Sequence, residues 1–184
     1  METAYPTMRT CAFTGHRPEK LPWGDNENDP GCIALKRRIL SVLRELYARG
    51  IRHFISGMAR GSDFYFCELV LKLRDLYPDI FVEAAVPFRE QSHSWSVKDR
   101  SLYDYLISRC DKVTVVQEEY TKGCMQKRNK YMIDRSSVLL AVLSDSEGGT
   151  KHTVDYAIRQ GIEVYIFDPR SDVYVNIPMR FDLL

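Results

Sequence analysis

Short apolar runs and amphipathic stretches alternate along this chain, and that alternation is what most limits its fold. Apolar or β-branched runs occur at Thr10 to Phe13, His53 to Ile55, Ile80 to Val86, Val113 to Val116, Ser137 to Leu143 and Glu163 to Phe167. Helical spacing fills the intervals. Leu35, Ile39, Val42, Leu43, Leu46 and Tyr47 mark one apolar face closed by Gly50, and Phe66, Leu69, Val70, Leu73 and Tyr77 mark another that ends before Pro78. Further helices are expected over Lys98 to Arg109, over Lys122 to Asp134, and from the polar turn Ser144 to Thr150 as far as Gly161. Strand-and-helix alternation of this kind predicts an α/β fold with one open, mostly parallel sheet of about six or seven strands and helices on both faces. The tail from Asp168 is expected to be irregular or to form an edge. Glu19 to Gly31, rich in Pro, Gly, Asp and Asn around Trp23, is either a lid or a long connection.

Length and charge narrow the class. With 184 residues, 45% of them apolar, the chain suits a single core over residues 1–184. Its 26 basic and 25 acidic residues leave a formal charge of +1, so no global field points to duplex DNA or an anionic membrane. The five cysteines are odd in number and scattered, which predicts reduced thiols and a cytoplasmic location. Four dispersed histidines show no ligand-pair spacing, and neither a metal nor a cofactor is expected. Met1 to Arg9 is polar, and no apolar run reaches the length of a membrane span.

Three polar glycine turns lie where strands give way to helices. Ser56-Gly57-Met58-Ala59-Arg60-Gly61-Ser62-Asp63 joins a buried strand to a helix. Free N–H groups and the positive end of a helix dipole meet at such a turn, and Gly57 and Gly61 allow close approach of an anion. Arg60 can pair with phosphate, while Ser62 and Asp63 can cap the helix, Asp63 being better suited to ribose hydroxyls than to phosphate. Glu147-Gly148-Gly149-Thr150 offers a second set of N–H groups and a hydroxyl. Thr14, Gly15, His16 and Arg17 end the first strand and can contact a base, a ribose or a phosphate. In open α/β sheets ligands bind beyond the carboxyl ends of the strands, where all three turns should fall. A tight strand-to-helix turn also needs glycine and a cap when it holds no ligand, so the pattern leaves a purely structural role open. Lys127 to Lys130 has the composition of a solvated helix face, Trp95 can stack on a base or anchor its loop, and no Gly-x-Ser-x-Gly elbow is present.

The residues of the first turn, SGMARGSD, together with Arg128-Asn129-Lys130 and Gly148-Gly149-Thr150, resemble the DNA-processing protein DprA (Smf) and the LOG phosphoribohydrolases, both of the SLOG superfamily. Thr14-Gly15-His16-Arg17-Pro18, Pro87-Phe88 with Gln91 and Trp95, and Arg128-Asn129-Lys130-Tyr131-Met132 resemble the YpsA-like branch over nearly the whole chain. The resemblance implies one three-layer, Rossmann-like SLOG domain that binds or senses a nucleotide or nucleotide-derived ligand, and a homodimer as a common state of such domains. Arg128 and Asn129 join the expected ligand-binding set on this basis. LOG enzymes place a catalytic glutamate three residues after a Gly-Thr pair, and here that position is Thr153. Threonine cannot act as the carboxylate of glycosidic cleavage. An N-glycoside hydrolase or transferase would therefore need Asp63 or Glu147 as its acid or base. Single-stranded DNA binding of the DprA kind is the third alternative, disfavoured by the near-neutral charge and by the lack of an aromatic stacking platform.

Overall fold

The computed structural model describes residues 7–144 and 147–180, which leaves Asp145 and Ser146 of the Ser144 to Thr150 turn, and the start of the polar N-terminal segment, outside it. In chain order the elements are β1 (Thr10–Gly15), α1 (Pro30–Ala48), β2 (His53–Ser56), α2 (Ser62–Leu76), β3 (Phe81–Val86), α3 (Val97–Arg109), β4 (Lys112–Val115), α4 (Cys124–Ile133), β5 (Val138–Val142), α5 (Gly149–Arg159), β6 (Glu163–Phe167) and β7 (Tyr174–Ile177). The seven strands form one sheet in the order β4-β3-β2-β1-β5-β6-β7. Every neighbouring pair is parallel except β6 with β7, so the expected edge-like tail is an antiparallel edge strand.

Because side chains of a strand point alternately to its two faces, the central strands feed two separate cores. Cys11, Phe13, Phe54, Leu140 and Val142 face the layer of α1, α2 and α3. Ala12, Ile55, Leu139 and Ala141 face α4 and α5. The first core holds the large side chains, with Phe13 stacked on Phe66 at 4.6 Å. Each such residue contributes about 1.5–3 kcal/mol when fully buried, so this layer anchors the fold. The second core relies on small residues, including Ala85 and Ala157.

Helix α1 starts earlier than its apolar spacing indicates. Asp29 caps it by accepting from the Gly31 N–H at 2.7 Å, and Pro30 occupies the first turn, where its missing N–H costs nothing. Just upstream, Trp23 is buried and its Nε1 donates to the Tyr65 hydroxyl at 3.4 Å. Glu19 to Gly31 is thus tied to α2 through Trp23. Among the described residues no helix is long and apolar enough to cross a membrane.

The chain leaves β1 toward β2 on one side, and leaves β5 toward β6 on the other. Loops at the carboxyl ends of β1 and β5 therefore diverge and open a crevice at this switch point, the place where sheets of this topology hold ligands.

Candidate functional site at the switch point

A cleft of about 360 Å³ occupies the crevice. Thr14, Gly15, His16 and Arg17 line it from the end of β1, Glu19 and Lys20 from the turn that follows, Ala59 and Asp63 from the turn into α2, Met125, Arg128 and Asn129 from α4, and Glu147 to Thr150 from the start of α5. Ten of the residues expected to bind ligand meet here: Thr14, Gly15, His16, Arg17, Asp63, Arg128, Asn129, Gly148, Gly149 and Thr150.

The anion-binding end is α5. Gly148 stands at its N-cap with φ +108°, a conformation that glycine adopts without strain, and brings no side chain to cap the helix. No acidic residue lies in the first turn of α5, whose positive end faces the cleft, while Glu19, Asp63 and Glu147 line it elsewhere. Lys20, from the short 3-10 turn Pro18–Lys20, adds a cation on the same side. Glu147 sits exposed at the rim.

Opposite lie Asp63 and Arg128, both buried. Asp63 Oδ2 accepts from the Ala59 N–H at 3.1 Å. Burial raises its carboxyl to about 6, against the pull of Arg128, of the Ala59 N–H, of Arg17 and of the Gly15 N–H. Arg128 is itself held below the usual arginine range by burial, with Asp63 opposing that shift. Its Nε donates to Asn129 Oδ1 at 2.7 Å, and its Nη1 donates to the carbonyl oxygens of Gly57 and, at 3.4 Å, Ala85. The basic stretch that reads as a solvated face thus sends one member inward, while Lys130 pairs outside with Asp134 at 2.8 Å. Arg17 stands exposed at the rim, its charge felt by both buried groups.

The remaining members of the Ser56 to Asp63 turn lie outside the lining, for reasons visible in their contacts. A Cβ on Gly57 would collide with the Arg128 guanidinium and approach Asp63 Oδ2 to 2.9 Å, so this glycine admits protein groups. Gly61, at φ +84°, packs under the β1 loop, where a Cβ would come within 2.9 Å of the His16 carbonyl oxygen. Ser62 donates its hydroxyl to that same oxygen at 2.7 Å and its N–H at 3.2 Å. Arg60 turns away to Glu19 and to Asp99, the latter at 3.4 Å. Inside the turn Met58 holds φ +54°, uncommon for a side chain of its size, and Gln91 donates to its carbonyl oxygen at 2.9 Å.

His16 lines the cleft but is occupied. Its Nε2 accepts from the Ser144 N–H at 2.9 Å and lies 3.0 Å from the Ser144 hydroxyl. Thr153 is buried as well, donating to the Gly149 carbonyl at 2.8 Å and accepting from Asn129 Nδ2 at 2.8 Å. At the position of the LOG glutamate there is thus a link between α4 and α5. Trp95 packs edge-on against Phe64 and Tyr103, 6.0 and 5.5 Å away, as a loop anchor. Lys20 and Met125 escaped sequence reasoning, since neither belongs to a glycine turn or a motif.

Comparison with known proteins gives the family and relatives of the same fold. The model of the YspA SLOG family matches residues 11–164. An uncharacterised SPbeta prophage-derived protein, YoqJ, of Bacillus subtilis is 33% identical over 142 residues, spanning 70% of this chain and 83% of that protein. DNA processing protein A (DprA) from Streptococcus pneumoniae shares the fold with a TM-score of 0.58 at 16% identity, over 86% of this chain, which spans only half of that protein. DprA from Helicobacter pylori, whose structure was described for its single-stranded DNA binding mode, gives 0.56 at 16% identity, over 88% of this chain and 65% of that one.

Proposed function

We propose that this chain, which belongs to the YspA SLOG family, binds a nucleotide or nucleotide-derived ligand in the switch-point cleft, with a phosphate on the N-terminus of α5. The observation that carries this is the start of α5, with glycine at its N-cap and no acidic residue in its first turn, at a cleft of about 360 Å³ that Arg17, Lys20 and Arg128 also line. Phosphate can accept from N–H groups of the helix start and pair with these cations together. A ribose hydroxyl can meet Asp63 in either protonation state, because the carboxyl donates when neutral and accepts when charged.

Thermal unfolding of the whole protein with a panel of nucleoside monophosphates, diphosphates and ADP-ribose tests it, with inorganic phosphate as reference. A ligand at a hundredfold excess over its Kd stabilises by about 2.7 kcal/mol, a shift of roughly 5–10 °C for a chain of this size. No nucleotide exceeding phosphate sinks the proposal.

Cleavage of an N-glycosidic bond is the second reading, and one observation favours it: a buried carboxyl in the cleft that titrates near neutrality, as a general acid must. Free base released from a nucleotide by the wild-type protein and not by Asp63→Asn supports it; binding without release leaves a binding domain. Single-stranded DNA finds less support, because the formal charge is only +1 and Phe64, Trp95 and Tyr103 pack on one another.

A further inference from the structure

Away from the cleft, two free thiols face each other between α2 and the corner that joins α3 to β4. Cys67 Sγ lies 4.0 Å from Cys110 Sγ. Cys67 is fully buried, and Cys110, at the C-cap of α3, is half-buried, its thiol also donating to the Leu106 carbonyl oxygen at 3.3 Å. Arg74, one helix face along from Cys67, reaches the same corner, donating to the Arg109 carbonyl at 2.8 Å and to Asp111 at 2.7 Å. The corner is therefore held in place beside α2, and the two sulfurs must close from 4.0 Å to the bonded separation of about 2 Å.

We propose that Cys67 and Cys110 form a peroxide-sensing thiol pair, Cys110 reacting first and Cys67 resolving it to an intramolecular disulfide. The thiol of Cys67 and the charge of Arg74 hold Cys110 below the ordinary thiol range, while its hydrogen bond to Cys110 and its burial push Cys67 up. A thiol of lowered pKa beside a resolving partner is the arrangement that reacts with hydroperoxides. The Cys110 thiolate attacks one peroxide oxygen, the O–O bond breaks, and the other oxygen leaves with the proton Cys110 gave up, as water when the oxidant is hydrogen peroxide. Cys67 sulfur then attacks the Cys110 sulfenic acid, the S–O bond breaks, and the hydroxyl departs as water with the Cys67 proton. Two thiols lose two electrons and the hydroperoxide gains them. Cys11 and Cys32 are buried and held above the ordinary thiol range, and Cys124 is buried, which makes the reaction selective for the pair.

The test treats the reduced full chain with hydrogen peroxide, blocks free thiols, and digests it with trypsin without reductant. Cleavage after Arg60, Lys72, Arg109 and Lys112 places the two cysteines in peptides 61–72 and 110–112. These are expected as one cross-linked species lighter by two hydrogens and restored by reductant. In Cys67→Ala a sulfenic acid trap should label Cys110, and in Cys110→Ser no cross-link should form. Cys110 should also alkylate about tenfold faster than Cys11, Cys32 or Cys124. Oxidation of wild-type Cys110 to sulfinic acid without the cross-link, an unreacted pair, or equal yields of other pairings overturns the proposal, and the wild-type peptide map decides this even if the Cys67→Ala chain fails to fold.

Discussion

The Arg128 guanidinium donates to the carbonyl oxygen of Gly57, 71 residues earlier in the chain, and so ties α4 on one face of the sheet to the turn that follows β2. The tie exists because position 57 has no side chain. Gly57→Ala is expected to displace Arg128, costing about 1–3 kcal/mol as overpacking does and lowering ligand affinity with it. Chemical denaturation with ligand titration checks both; an unchanged midpoint and affinity would show that the guanidinium has other room.

Asp63 makes stability fall as pH rises. Its carboxyl titrates at about 6 in the folded chain, above the ordinary 3.8, so the folded state binds this proton more tightly than the unfolded state does. The resulting contribution is complete below about pH 4 and lost as pH climbs through 6. At 1.36 kcal/mol per unit it amounts to roughly 3 kcal/mol. Asp63→Asn should flatten this part of the stability profile and leave the variant no less stable than the wild type at pH 8. Midpoints of urea unfolding between pH 4 and 8 provide the measurement.

Glu83 acts in the opposite sense at the far end of the strands. It lies 2.9 Å from His53 Nε2 and accepts from Thr114 and Tyr131 hydroxyls, each at 2.6 Å. Burial raises its carboxyl, but the hydrogen bonds from His53, Thr114 and Tyr131 outweigh it and bring the group down to about 2. Stability from this site is present above about pH 4.5 and disappears as pH falls toward 2. Glu83→Gln should lose on the order of 2 kcal/mol at pH 7 and show a shallower acid transition. An acid-unfolding curve that superimposes on the wild type would refute this.

Two arginines separate the cleft from its scaffold. Arg17→Ala removes an exposed rim cation and should weaken nucleotide binding about tenfold, near 1.4 kcal/mol, with no effect on folding. Arg60→Ala loses its contacts with Glu19 and Asp99 and should change affinity less than threefold. Isothermal titration on the two variants distinguishes them, and the reverse order would place the phosphate on the first turn.

The layered sheet was legible because alternating apolar runs and amphipathic helices admit few other arrangements, and the Gly148 to Thr150 turn was legible because a helix start of that composition exposes its N–H groups. The role of Gly57 was not. Glycine shows that something approaches the backbone, and whether that is a ligand or Arg128 depends on a helix far along the chain. Arg128 was legible only through the resemblance to SLOG proteins, since the composition of Lys127 to Lys130 reads as a solvated face and does not show that one member turns inward. Lys20 enters the site because the turn after β1 doubles back over it, a geometry no local pattern encodes.

At the switch point the sheet's two halves run apart, and His16 closes the gap by holding Ser144 through its ring while its own carbonyl takes both donors of Ser62. One residue thus joins the loop after β1 to the loop after β5 and to the start of α2. A site braced in this way is organised before anything enters it. Little of the proposed ligand's interaction energy then goes into ordering these three segments.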